Sequence, residues 1–426
     1  MHGPTGQSPV PAGQEINCIG LIATFRMNPN IRQLQRYPFE RLRALLAGHV
    51  PPADRPLIPM SIGEPRHAPP GFVIEALHQH AGDLGSYPPS TGLPELRQAM
   101  AAALARRYPG AAKIDPQNQI LPVGGTREGL FAFVQAMLDP TTPSLVAMPN
   151  PFYQIYEGAT ILAGATPYYI NTPRENAFLP DLDAVPDATW AHCQLLVLCS
   201  PGNPTGAVIP IELWQRAFEL ADRFNFVIAA DECYADIYTD ESAPPPGALE
   251  AARLAGRERL DRLVVFHSLS KRSSIPGLRS GFAAGDRDLI GPFAAYRTYH
   301  GVALPLATQY ASLAAWNEPT HVAANRRRYQ AKFHLAEEIL GPHVDLEIPA
   351  GAFYLWLAVP GGDDERFARD LYIREGLITL PGRYLSRPTA NGDPGAGYLR
   401  ISLVPDEDPC RDALLRLSRF IRSRVA

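Results

Sequence analysis

The chain has no apolar run approaching the roughly 20 residues that a bilayer span requires. It has no marked excess of either charge: 39 Lys and Arg stand against 43 Asp and Glu, a net charge of −4. That balance argues against an electrostatic nucleic-acid binder, which needs a basic patch. It does not exclude small anionic ligands, for which one or two buried arginines suffice. Cysteine is scarce and odd in number, at five (Cys18, Cys193, Cys199, Cys233 and Cys410), with no Cys-x-x-Cys pair. A disulfide framework and a structural metal are therefore not expected, and a reducing compartment is. Internal repeats are absent, and so are low-complexity tracts beyond the Pro/Gly-rich start. Residues 16–25 faintly resemble a signal-peptide core, but no Lys or Arg precedes them and no small-x-small cleavage site follows. Residues 1–26 are read as a disordered extension, and the location as cytoplasmic.

What is present describes a sizeable globular protein. Its 426 residues are 46% hydrophobic and 19% charged, enough for two or three domains of roughly 150 residues each. From Ile120 onward, continuous apolar runs alternate with helical patterns. Ile120–Val123, Ser144–Met148, Leu195–Leu198, Phe226–Ala230 and Leu263–Phe266 read as buried strands. Helical stretches run from Leu93 to Tyr108, through Met137, from Tyr153 to Ala163 and from Ile211 to Phe224. Apolar strands separated by helices imply a mostly parallel sheet covered on both faces. Ligands of such sheets sit at the carboxyl ends of the strands. Met60–Pro65 reads as a strand ending in a tight turn, after a helix broken at Pro38. Beyond Ala311 the character changes to α+β. A long helical region reaches Ile339, strands follow at Gly351–Leu357 and Gly397–Ser402, and helices at Asp364–Glu375 and Pro409–Arg422.

Four segments just past strand ends carry chemistry. Ser268-Leu269-Ser270-Lys271 follows an apolar strand, with Arg279 eight positions after the lysine. An amine beside two hydroxyls and a guanidinium suits an aldehyde cofactor that bears a phosphate. Ser200-Pro201-Gly202-Asn203-Pro204-Thr205-Gly206 fixes an unusual backbone around one amide that can reach a phenolic oxygen. Asp231 ends a strand, with Tyr234 three residues on; a buried carboxylate there needs a cation, such as a protonated pyridine nitrogen. Gly125-Thr126-Arg127 opens a helix, a ready phosphate site. Tyr153 can stack on an aromatic cofactor or fill a core. Arg400, within Tyr398-Leu399-Arg400-Ile401-Ser402, can offer a bidentate fork to a carboxylate. Each segment alone also fits a bland role, as surface loop, helix cap or core residue. Their co-occurrence is the specific signal.

In family order and with family-like spacing, these segments resemble the class I/II, fold type I, pyridoxal-phosphate-dependent aminotransferases, from Met27 to the C-terminus. The resemblance implies an α/β large domain with a mostly parallel seven-stranded sheet sandwiched by helices, plus a smaller α+β domain. Boundaries follow: a 27–60 arm contributing to the small domain, a 61–310 cofactor domain and a 311–426 small domain. It also implies roles. Lys271 is the Schiff-base lysine and proton carrier, and Asp231 pairs with the pyridinium nitrogen. Asn203 and Tyr234 bond the ring oxygen, and Tyr153 stacks on the ring. Gly125, Thr126, Arg127, Ser268, Ser270 and Arg279 form the phosphate side. Arg400 binds the substrate α-carboxylate, with Gly63 and Asn203. Tyr87 matches the tyrosine that family members donate to a neighbour's phosphate, so a homodimer acting on amino acids and 2-oxo acids is implied, with no nucleic acid or membrane.

A finer resemblance is to the N-succinyldiaminopimelate aminotransferases of bacterial lysine synthesis. It rests on Met27-Asn28-Pro29, Tyr37–Arg43, Gly63–His67, Gly124–Phe131, Ser270–Ser273 and Pro276–Gly281. The implied reaction exchanges an amino group between glutamate and N-succinyl-2-amino-6-oxopimelate. Arg66, Arg127 and Arg383 are candidates for a distal carboxylate, Arg66 and Arg127 first. Other readings are an N-acetylornithine, aspartate or aromatic aminotransferase, a carbon–sulfur β-lyase, or a cofactor-sensing regulator. The last needs a DNA-binding domain for which the 26-residue extension is too short.

Overall fold

A computed structural model describes residues 27–301 and 303–425. The expected disordered extension at 1–26, and Cys18 within it, lie outside the described residues. The strands are β1 (Ile58–Pro59), β2 (Ile120–Val123), β3 (Leu145–Asn150), β4 (Thr166–Asn171), β5 (Cys193–Cys199), β6 (Val227–Asp231), β7 (Leu263–Ser268), β8 (Gly281–Gly285), β9 (Tyr354–Ala358), β10 (Leu377–Ile378), β11 (Leu380–Pro381) and β12 (Tyr398–Ser402).

Seven of them form one sheet in the order β2-β8-β7-β6-β5-β3-β4. Only β8 runs against its neighbours; the other pairings are parallel. Successive side chains of a strand face opposite ways, and the central strands use both faces. Leu196 and Leu198 of β5 join a core with Met100, Trp214 and Phe218, while Leu195 and Val197 join one with Phe133, Phe152 and Phe293. This two-sided burial explains the uninterrupted apolar runs. The Ile211–Phe224 helix shows how the cover forms. Trp214, Ala217, Phe218 and Ala221 recur at helical spacing on its buried face, and Asn225 ends it in the left-handed region at φ 60°.

A second core lies around the antiparallel sheet β11-β12-β9 and the parallel pair β1-β10. Phe333, Leu371, Leu377, Leu399, Leu414 and Phe420 meet there. The expected fold class is therefore the observed one. Some elements differ. The strand expected at Met60–Pro65 is two residues long and earlier, because only Ile58 and Pro59 pair with Leu377 and Ile378. The long helix is two, Leu306–Asn317 and Thr320–Leu340, parted at Glu318-Pro319. Strands β4 and β8 are additional to those read from the sequence.

Candidate active site

The parallel strands β2, β3, β5, β6 and β7 end along one edge of the sheet, and the chemistry-bearing residues follow them directly. A cavity of about 590 Å³ opens there. Thr126, Arg127, Tyr153, Asn203, Asp231, Tyr234, Ser268, Ser270, Lys271, Arg279, Gly63 and Arg400 all line it. The sheet topology thus gathers residues spread over more than 300 positions.

Lys271 sits in the short Leu269–Arg272 helix that β7 feeds, capped by the Ser268 hydroxyl accepting from the Ser270 N–H. Its Nζ donates to the Gly63 carbonyl at 2.5 Å. Burial lowers its pKa to about 8, because desolvation disfavours the ammonium. Asp231 is 2% exposed. Its carboxylate is held by hydrogen bonds: Tyr156 Oη donates to Oδ2 at 2.6 Å, and the Cys233 N–H to Oδ1 at 3.2 Å. Burial raises its pKa, while the bonds from Tyr156 and Cys233 oppose the rise. A carboxylate so placed gains most from a cation brought into the cavity.

Two further observations concern anionic groups. Gly125 has φ +85°, and a Cβ there would run into the Arg279 guanidinium, so glycine is required. Its own N–H is bonded to the Val123 carbonyl at 2.8 Å, so its contribution is shape. The N–H groups free at the start of the Thr126–Met137 helix are those of its first turn. Arg279 Nη1 and Nη2 donate to the Pro276 and Gly124 carbonyls, which fixes the guanidinium beside that turn. Arg400 is buried. Its Nη1 donates to Asn203 Oδ1 at 2.9 Å and its Nη2 to the Ser61 carbonyl at 2.7 Å. Its Nε is buried without a partner among the described residues. An orphaned donor on a buried guanidinium is satisfied by an incoming carboxylate. An amine of lowered pKa, a cation-seeking carboxylate, a helix start with an arginine and a second, buried arginine together fit pyridoxal phosphate with an amino-acid substrate.

A family model described as "Aminotransferase class I and II" matches residues 55–417. The chain belongs to the class I and II aminotransferases. It uses pyridoxal 5'-phosphate, as the fit of the site and the family together require. An aminotransferase from Neisseria meningitidis Z2491 superposes with a TM-score of 0.89 at 46% identity, covering 92% of this chain and 100% of that one. An LL-diaminopimelate aminotransferase of Moorella thermoacetica is 32% identical over 403 residues, 92% of this chain and 97% of the relative. One from Nitratidesulfovibrio vulgaris (strain Hildenborough) is 29% identical over 404 residues, 94% of this chain and 100% of the relative.

These relatives correct the finer expectation. They point to LL-diaminopimelate aminotransferases, not to the N-succinyl type that the sequence segments suggested. The physical reason lies in where those segments sit. Gly124–Phe131, Ser270–Ser273 and Pro276–Gly281 build the strand-end loops at the cofactor, which enzymes of either type need alike.

The structure leaves some expected residues outside the cavity. Arg66 is exposed and lines no part of it, because its neighbour His67 turns inward to Asn325. Arg383 is paired with Asp364 and Glu365. Tyr87 is exposed over its whole surface. Arg127 lies at the rim, its Nε donating to Tyr153 Oη at 2.6 Å and its Nη2 to Tyr37 Oη at 3.3 Å. Three site residues escaped sequence reasoning. Tyr156 holds Asp231, Tyr354 bonds Tyr234 at 2.6 Å between hydroxyls, and Ser61 holds Arg400. Tyr156 had a signal, lying one helical turn beyond Tyr153. Tyr354 and Ser61 act through pairings that no local pattern reveals.

Proposed function

We propose that this chain transfers an amino group between LL-diaminopimelate and 2-oxoglutarate, within lysine and diaminopimelate biosynthesis. One observation carries the reading: a single cavity has Arg400 at its buried floor and Arg127 at its exposed rim. LL-diaminopimelate carries an amino-acid group at each end, so it presents a carboxylate to each arginine. The names of the relatives at 29–32% identity support the same substrate.

When bound, pyridoxal phosphate supplies the electron sink that lets the substrate's α-proton leave. The chain supplies the rest. Lys271 Nζ would take that proton and return it two atoms away, across the substrate nitrogen; with a pKa of about 8 a fraction of the amine is neutral near neutral pH. Asp231 would pair with the pyridine nitrogen and keep it protonated. Asn203 and Tyr234 would hold the ring oxygen, and Tyr153 the ring itself. Thr126, Arg127 N–H, Ser268, Ser270 and Arg279 would hold the phosphate. Arg400, with Asn203 and the 61–63 backbone, orients the α-carboxylate. We read the active form as a homodimer, because Tyr87 stands fully exposed and is free to reach a neighbour.

The test is steady-state kinetics of Arg127→Ala with two amino donors. Losing a charged hydrogen bond raises KM for LL-diaminopimelate about tenfold or more, with little change for a monocarboxylic donor. Equal changes for both donors would remove Arg127 from the distal site.

A further inference from the structure

A buried polar chain runs from the second core to the peptide that carries Lys271. Lys332, 1% exposed, lies on the Thr320–Leu340 helix. Its Nζ donates to His67 Nε2 at 2.8 Å and to the Leu403 carbonyl at 3.0 Å. An ammonium has donors only, so Nε2 accepts and the ring proton sits on Nδ1. That Nδ1 donates to Asn325 Oδ1 at 2.8 Å. The Asn325 amide nitrogen is thereby turned to the backbone, where it donates to the carbonyls of Lys271 at 3.0 Å and Arg272 at 3.1 Å. Ser274 Oγ returns a bond to the His67 carbonyl at 2.8 Å. From Lys332 through His67 to Asn325 the side-chain donors point one way, toward the lysine-bearing peptide, and Ser274 closes the loop from the far side.

The chain also joins the two walls of the cavity. His67 closes the segment whose Gly63 carbonyl accepts from Lys271 Nζ and whose Ser61 carbonyl accepts from Arg400. Leu403 follows the strand that bears Arg400. His67 is packed against Tyr329, ring centres 4.7 Å apart, and Lys332, Arg328 and Asp406 are the charged groups acting on it. Burial, then Lys332, lowers its pKa to about 4, so the ring stays neutral at physiological pH. Buried ion-dipole arrangements of this kind are costly unless each member is satisfied. Plain packing would have served a purely structural contact at lower desolvation cost.

We propose that Lys332, His67 and Asn325 are positioning residues that set Lys271 against Gly63 and the cofactor. The proposal rests on Lys271 being the cofactor-bearing lysine. Neither His67 nor Lys332 lines the cavity, so they act through Asn325 and the backbone.

The experiment compares pyridoxal-phosphate-loaded wild type with His67→Phe, Lys332→Met and the double variant. Leu335→Ala, in the second core on the same helix, is the control. The pH midpoint of the visible band and kcat are read alongside Tm. Misplacing a reacting amine costs about tenfold or more in kcat. The midpoint should move in the same direction in both single variants, and the double variant should move it no further than the larger single. Leu335→Ala should lower Tm and leave the midpoint alone. Asn325→Asp keeps the oxygen that accepts from His67 and removes the amide donor, so it must move the midpoint too; it serves if the others fail to fold. In cofactor-free protein, ¹⁵N shifts should place the His67 proton on Nδ1. Variants that lower Tm with an unmoved midpoint, additive shifts in the double variant, or a proton on Nε2 would each overturn the relay. A visible band that survives Lys271→Ala would instead sink the reading of Lys271 itself.

Discussion

In the proposed mechanism cofactor retention turns on Asp231. Among the described residues its buried carboxylate has no ion pair and is held by Tyr156 and Cys233, so Asp231→Ala would remove the proposed partner of the pyridinium. The expected outcome is loss of most activity and weaker cofactor binding, measured by kcat and by dialysis against buffer. Arg400→Ala should lower kcat/KM for both amino donor and acceptor by about 100-fold or more, since each presents the same α-carboxylate. Lys271 gives a pH signature in cofactor-free protein. Burial pushes it down to about 8 from its ordinary 10.5. Between those values the unfolded chain holds a proton that the folded chain has lost, so its contribution to stability rises with pH across that window. In Lys271→Met that rise is missing, and the Tm difference from wild type should change steadily between about pH 8 and 10.5. The residues that line the cavity were legible because amine, carboxylate, amide and hydroxyls sit in short motifs just past strands. Tyr354 and Ser61 were not, because their partners come from 120 and 339 positions away.

Strands β4 and β8 show the same limit among elements. β8 is Gly-Phe-Ala-Ala-Gly, small residues without the branched side chains that mark a strand. β4 is an edge strand with Pro167 and half-exposed tyrosines, so its apolar pattern is diluted. The central strands, buried on both faces, were plain. The glycines of β8 have a packing reason. A Cβ at Gly281 would lie 2.5 Å from the His267 carbonyl and 3.4 Å from Ser268 Cα, both backbone. Gly281→Ala should therefore push β8 from β7 at the strand end that positions Ser268, lowering both Tm and cofactor affinity. A fall in Tm without loss of affinity would confine the effect to the sheet. The covering helices contribute in the ordinary way: Trp214, fully buried between sheet and helix, should cost about 3–5 kcal/mol of stability when cut to alanine.

At the scale of the whole molecule, the parallel sheet and the second core meet around one cavity, and the reaction class follows from that meeting. The substrate did not follow from the motifs, since those frame the cavity, and the succinylated type they suggested is corrected by relatives at 29–32% identity, which are LL-diaminopimelate aminotransferases. The most direct test is an absorption spectrum of the purified protein, taken before and after LL-diaminopimelate and again after 2-oxoglutarate. The account predicts a yellow protein whose visible band disappears with LL-diaminopimelate and returns with 2-oxoglutarate. A yellow protein whose band LL-diaminopimelate leaves untouched, while another amino acid bleaches it, would contradict the proposed substrate.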